Sequence, residues 1–227
     1  MTGRLILVRH GETTANIRHS LDTRPPGAPL TERGRNQAIE VGRRLAELVG
    51  AADGHPGRLT GVHTSEAVRA RTTGALLVES LEKHAGLAAG TVPVTTRPGL
   101  HEFSAGDLED LTDITSIETF RAAHLAALAG DPSGMTPGGE NITTFLGRYR
   151  PVIEGVVLRE MALRADGDAI VVAHASAMRL FARHATGIAV EDAHPLPNTG
   201  LIVMEPGDAP FGRWRLVSWD HRPESVA

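Results

Sequence analysis

Two apolar runs that each end on a histidine constrain this chain more than any other feature. Leu5-Ile6-Leu7-Val8 leads into Arg9-His10-Gly11-Glu12, and Ala169-Ile170-Val171-Val172-Ala173 leads into His174. Short, uninterrupted runs of mostly branched apolar residues are the pattern of strands buried on both faces of a parallel sheet, and a helix-compatible stretch follows each. Ligands of open α/β sheets bind just beyond the carboxyl ends of the strands. Two imidazoles delivered there, one beside an arginine, point to chemistry on an anion.

The rest of the chain fits around those strands. A short helix is expected after His10, then a loop over 18–30 in which Pro25, Pro26, Gly27 and Pro29 block regular structure. Thr31 can cap a helix over 32–49 whose Ala38, Val41, Leu45 and Leu48 share one face. A polar connection over 50–57 precedes a strand at 60–64, a helix over 66–84 capped by Ser65, and a short strand at 92–96. Residues 97–140 are the least regular, with Leu100-His101-Glu102, an amphipathic stretch over 117–128 and a Pro-Gly-Gly turn at 137–139. A helix over 141–164 leads to the His174 strand, a helix through His184 follows it, and strands at 201–204 and 214–219 come last. Strands alternating with helices predict a three-layer α/β/α sandwich with a mostly parallel central sheet. No shift of composition marks a linker, so one domain spanning 1–227 is expected, with 97–140 as a cover over the site.

Composition narrows the function classes. A net charge of -4 argues against non-specific nucleic-acid binding, which needs a basic surface. No run approaches the 18 or so apolar residues of a membrane span, and the apolar run near the N-terminus is too short for a signal sequence, so a cytoplasmic location is expected. Cysteine is absent, which removes disulfides, thiolate nucleophiles and zinc-thiolate sites together. Lys83 is the only lysine among 23 basic residues. Arginine enrichment alone identifies no partner, so each arginine has to be argued from its position.

Four positions carry such arguments. Arg9-His10-Gly11 as a bare tripeptide would arise by chance in about one chain in ten of this composition, but it closes a strand, where backbone N–H groups of the next turn can hold a phosphate. Gly11 permits a close backbone approach there. Arg69 falls in the first turn of its expected helix, where the macrodipole disfavours a cation by up to about 1 kcal/mol. An anion beside it would explain that placement, and a solvated surface position would serve as well. Glu102 lies between Leu100 and Phe103, and a carboxyl group among apolar neighbours has the raised pKa that a general acid near neutrality requires. An exposed loop glutamate reads the same way, and His174 taken alone fits a structural histidine. The other histidines (19, 55, 63, 84, 101, 124, 184, 194 and 221) show no ligand spacing, and no metal site is expected.

Taken in order, the segments resemble a known family. Leu7-Val8-Arg9-His10-Gly11-Glu12 with Asn16, Leu30-Thr31-Glu32-Arg33-Gly34 with Gln37-Ala38, and Ser65 with Arg69-Ala70 and Thr73 form the first half of the pattern. Leu100-His101-Glu102, Pro137-Gly138-Gly139-Glu140, and Val172-Ala173-His174 with Arg179 form the second. The set looks like the histidine phosphatase superfamily, which includes cofactor-dependent phosphoglycerate mutases and many phosphatases, and it spans residues 5 to about 205. The resemblance implies that His10 becomes phosphorylated, that Arg9, Arg69 and His174 hold the phosphoryl group, and that Glu102 transfers protons. Asn16, Gly11 and Ala175 would complete the phosphate site. Ala175 departs from the glycine usual there: it keeps the backbone N–H but disfavours a positive φ and adds a methyl group. In the loop at 18–29, Arg24 could meet a second anionic group of the substrate or stay in solvent.

The implied function is a phosphomonoester hydrolase working through phosphohistidine on a small phosphorylated metabolite, without metal or cofactor. A phosphoglycerate mutase dependent on 2,3-bisphosphoglycerate is the first alternative, and a non-catalytic binder of phosphorylated ligands is the second. Mutases of the family carry a long insertion after the Leu-x-Glu glutamate, with paired arginines for the substrate carboxylate. Here 97–140 is short and holds only Arg121 beyond Glu102, which favours hydrolysis. The expected partners are the metabolite and, in a homodimer, a second copy of the chain, with neither nucleic acid nor membrane.

Overall fold

Alternate residues of β1 (Leu5–Arg9) point to opposite faces of the sheet. Leu5 and Leu7 join one apolar cluster, while Ile6 and Val8 join the other. β4 (Asp168–Ala173) divides the same way, with Ala169, Val171 and Ala173 on the first side and Ile170 and Val172 on the second. In the computed structural model, which describes residues 3–220, these two strands run parallel at the centre of one sheet. β2 (Leu59–Thr64) pairs parallel with β4, and β3 (Val94–Thr96) pairs parallel with β2. On the other flank β5 (Leu201–Glu205) runs antiparallel to β1, and β6 (Arg215–Trp219) antiparallel to β5. The order is β3-β2-β4-β1-β5-β6, a mixed sheet whose parallel strands carry both histidines.

Helices cover both faces, giving the three layers. On the Ile6 side lie α2 (Glu32–Val49) and α3 (Val68–Ala85), with α2 entered through Thr31, whose Oγ1 accepts from the Gly34 N–H at 2.9 Å. On the Leu7 side lie α4 (Ile114–Ala129), α5 (Ile142–Val152) and α7 (Ala175–Thr186); Phe145 stacks on Tyr149 within α5, and Tyr149 meets Phe181 of α7 at a tilt. A short α1 (Thr14–Arg18) follows β1.

Two local expectations need correction. The helix over 141–164 is broken: Pro151 donates no N–H, the backbone widens into a π-turn over Ile153–Val157, and a four-residue α6 (Leu158–Met161) follows. Ser65 does not cap α3, which begins two residues later with Ala67 as its flanking residue. Among the described residues no helix is long and apolar enough to cross a membrane. His221 lies outside the described residues.

Candidate active site

Strand register brings the two histidines together. Arg9 pairs with Ala173 across the β1–β4 ladder, and the next residue on each strand is a histidine. The His10 N–H donates to the Ala173 carbonyl at 3.0 Å, and the imidazole centroids of His10 and His174 are 5.3 Å apart. Both rings are buried.

Their hydrogen bonds fix which nitrogen does what. His10 Nδ1 lies 2.7 Å from the Gly11 carbonyl, which can only accept, so Nδ1 carries the proton and Nε2 keeps its lone pair. Burial first, then the charges of Arg69 and Arg9, hold the His10 pKa well below 6.5, against the opposing pull of the Gly11 carbonyl. The ring is therefore neutral near pH 7. His174 is held the other way round. Arg69 Nε donates to its Nδ1 at 3.1 Å, so the neutral ring carries its proton on Nε2, 2.6 Å from Ser65 Oγ. Burial, then Arg69, again favours the neutral ring. Ser65 is thus a partner of His174 rather than a helix cap, and its Oγ also accepts from the Ala67 N–H at 3.2 Å. With both nitrogens engaged, His174 fixes Arg69 in this structure instead of presenting a donor of its own.

Arg69 is only 1% exposed although it carries a charge. Besides His174 it donates to Asp22 twice, from Nη1 to Oδ2 at 3.1 Å and from Nη2 to the main-chain oxygen at 2.9 Å. A guanidinium has five N–H groups, so these three bonds leave two for a ligand. Asp22 is the anion that accounts for a cation in the first turn of α3. Gly27, at a positive φ of 68°, lies over this pair, and a Cβ there would stand 2.1 Å from Arg69 Nη1. Only glycine can close the loop at that point.

Glu102 sits at the N-terminus of α7. Its Oε1 accepts from the N–H groups of Phe103 at 2.8 Å and Ala177 at 2.6 Å, and its Oε2 from Ser176 at 3.1 Å. Burial raises its pKa, and those three N–H groups partly oppose the rise. Arg148 on α5 fastens the loop that carries it, donating to the carbonyls of Gly99, His101 and Glu102 and pairing with Glu140.

A cavity of about 180 Å³ opens among these groups, lined by Arg9, His10, Arg69 and Glu102 together with Thr13, Asn16, Ser20, Leu21, Asp22, Thr23, Phe120, Ala175 and Ser176. A larger hollow of about 460 Å³ beside α3, lined by Arg35, Thr64, Arg71 and Val94 among others, holds no histidine or carboxylate. Asn16 is set by α1, where it and Thr13 cap each other's backbone, and Asn198 donates to its Oδ1 at 3.1 Å.

Besides that of His174, two expected roles change, those of Gly11 and Arg24. The Gly11 N–H donates to Thr73 Oγ1 at 3.1 Å, and the next two N–H groups go to Gln37 and Asn16, so this turn offers no anion cradle. What Gly11 makes room for is Gly34: a Cβ on Gly11 would lie 2.3 Å from the Gly34 carbonyl oxygen. Arg24 does not line the cavity, because its Nη2 donates to the Gly106 carbonyl at 2.9 Å and it faces the neighbouring hollow. Ala175 does line it, but it opens α7 at a negative φ, so a glycine's freedom is not needed there. Asp22, Ser65 in its contact with His174, and Phe120 are site residues the sequence did not single out. For Asp22 the only signal was the misplaced charge of Arg69.

Comparison with known proteins identifies the family. The family model for the histidine phosphatase superfamily (branch 1) matches residues 5–221. The chain is 31% identical, over 97% of its own length, to PE-PGRS family protein PE_PGRS11 of Mycobacterium tuberculosis (strain ATCC 25618 / H37Rv), of which it spans only 37%. It is 27% identical to a 2,3-bisphosphoglycerate-dependent phosphoglycerate mutase of Nocardioides sp., with 94% of this chain and 93% of that one covered. A solved mycobacterial glucosyl-3-phosphoglycerate phosphatase shares the fold, with a TM-score of 0.71 at 23% identity over 97% of this chain and 100% of that one.

Proposed function

Since this chain belongs to the histidine phosphatase superfamily, whose members are phosphatases or mutases, we propose that it hydrolyses small phosphomonoesters through a phosphohistidine at His10. The observation that carries the reading is the neutral His10, its Nε2 lone pair kept available by the Nδ1–Gly11 bond, in a cavity shared with two arginines and a carboxyl group of raised pKa.

In the first step Nε2 attacks phosphorus, the ester P–O bond breaks, and the proton on Glu102 passes to the departing alkoxide. Charge spreads over three equatorial oxygens in this transition state, and Arg9 and Arg69 are the fixed donors for them. The bonds from Arg69 to His174 and Asp22 hold its guanidinium still, so no reorganisation is needed as charge develops. In the second step the Glu102 carboxylate takes a proton from water, oxygen bonds to phosphorus, and the N–P bond breaks to return neutral His10 and phosphate. The two arginines supply the positive charge that a metal supplies in other phosphatases, so the reaction is proposed to run without one.

The test is turnover of 4-nitrophenyl phosphate with a chelator present, together with acid-labile, base-stable labelling of the protein in rapid quench. Wild-type protein should show both, and His10→Ala should show neither. Turnover confined to 3-phosphoglycerate with added 2,3-bisphosphate would make the protein a mutase, the activity named for several relatives. Absence of turnover and label across a panel of phosphomonoesters would leave only binding.

A further inference from the structure

Asp22 stands in an unusual position for a site built around an anion. Its side chain is 10% exposed, it lines the cavity, and its Oδ2 accepts both from Arg69 Nη1 at 3.1 Å and from the Ala28 N–H at 2.9 Å. The loop is closed over it by Gly27 and by the Val68 N–H donating to the Pro26 carbonyl. The carboxylate is therefore a fixed part of the wall.

Counting charge in that wall gives a simple balance. Arg9 and Arg69 bring two positive charges and Asp22 one negative, while Glu102 is neutral in its proton-donating form. A phosphomonoester dianion already exceeds the net charge of +1. Among the described residues no further cation lines the cavity: Arg24 is turned to Gly106, Arg179 donates to the Ala193 carbonyl, and Arg121 is exposed. Glu109 and Asp110, whose carboxylate oxygens lie within 4.8 Å of that of Asp22, line the neighbouring hollow, where Arg18 and Arg24 offset their charge. The remaining lining is uncharged, with the Phe120 ring and the Ser20 and Thr23 hydroxyls, whose protons already go to the Asp110 carbonyl and the Glu109 carboxylate.

We propose that Asp22 is a specificity-determining residue, and that the site accepts phosphomonoesters whose remainder carries no negative charge while rejecting those with a second anionic group. This rests on the hydrolytic reading above and adds the substrate class. Rejection by a fixed like charge is a way of gaining specificity without any added attraction. The Asp22 carboxylate also lies against Arg69, so a second anion meets a guanidinium already partnered.

Glycerol 3-phosphate and 3-phosphoglycerate test this directly, since they differ by a hydroxymethyl group in place of a carboxylate. Wild-type protein should favour glycerol 3-phosphate in kcat/KM by about tenfold or more, the scale of one partly screened like-charge contact. Asp22→Asn keeps an acceptor for Arg69 and removes the charge, so the ratio should shrink toward unity through a lower KM for 3-phosphoglycerate. A wild-type preference for 3-phosphoglycerate, or no preference, overturns the proposal, as does a ratio that Asp22→Asn leaves untouched. Should Asp22→Asn not fold, the wild-type ratio read at low and high salt decides: a charge-based preference narrows with salt, and an invariant ratio counts against it. Should the protein hydrolyse 4-nitrophenyl phosphate but neither probe, their inhibition constants against that substrate replace the rates. If nothing is hydrolysed, the catalytic reading fails on its own, and calorimetric affinities for the same pair still accept or reject charge selection.

Discussion

At Glu102 two influences pull one proton in opposite directions. Burial raises the pKa of the carboxyl group, and three backbone N–H groups at the start of α7 stabilise its anion, so it can hold a proton for the leaving group and receive one from water. Glu102→Gln should lower kcat by about 10²–10⁴ on an alkyl phosphate, where the departing alkoxide must be protonated, and far less on 4-nitrophenyl phosphate. Equal losses on the two substrates would remove the proton-donor role. Arg69→Ala should cost on the order of 10²–10³ in kcat as a lost transition-state donor. It should also leave Asp22 without its charge partner, so the variant should melt lower than wild type. An unchanged rate would take Arg69 out of the reaction. The sequence singled out Glu102, Arg69 and both histidines by their strand-end, helix-start or apolar surroundings, but each position taken alone fitted a structural or solvated residue as well, and only the family resemblance joined them into one set. It did not make Asp22 legible, since a loop rich in proline has no period from which to read a direction. Nor could it show that both nitrogens of His174 are committed, because its partners Ser65 and Arg69 belong to another strand end and another helix.

The site's geometry is inherited from how β1 meets α2. Gly11 and Gly34 touch backbone to backbone: a Cβ on Gly34 would stand 2.0 Å from the Glu12 carbonyl oxygen, and one on Gly11 2.3 Å from that of Gly34. This contact sets the height at which β1 ends and so where the His10 ring sits against the cavity. Gly34→Ala should force the two backbones apart, costing about 1–3 kcal/mol as overpacking does. In a chain of this size that lowers the melting temperature by roughly 2–4 °C per kcal/mol. The same displacement should reduce kcat on 4-nitrophenyl phosphate, whereas an exposed helix glycine such as Gly147, with nothing near its Cβ position, should tolerate alanine on both measures. Equal behaviour of the two variants would count against a positioning role for the Gly11–Gly34 contact. Most elements were readable because buried strands and capped helices leave strong periodic signals, Thr31 before α2 among them. The π-turn and the late start of α3 were not: Pro151 marks a break without showing how the helix resumes, and Ser65 is drawn away from α3 by its bond to His174.

At the scale of the molecule, four buried neutral histidines among the described residues tie stability to pH. His10, His63, His124 and His174 all have pKa values below 6.5 with burial as the largest cause; that of His63 is lowered to about 4 and that of His124 to about 3. In the unfolded chain each titrates near 6.5, so as pH falls the unfolded state binds protons first. Stability is therefore full above about pH 6.5 and is lost as pH drops toward the folded values, where the loss levels off. His63 isolates the effect because it lies away from the cavity, accepting from Arg97 Nε at 3.2 Å and facing Glu160 at 3.5 Å. Its share between pH 7 and pH 5 comes to about 2 kcal/mol, or roughly 4–8 °C of melting temperature. His63→Gln fills similar space and cannot titrate. It should melt lower than wild type at pH 7 for lost packing, yet fall by about that much less between pH 7 and pH 5. Parallel falls in the two proteins would mean that His63 takes up its proton while still folded, and that the acid sensitivity of the fold resides with the carboxylates instead.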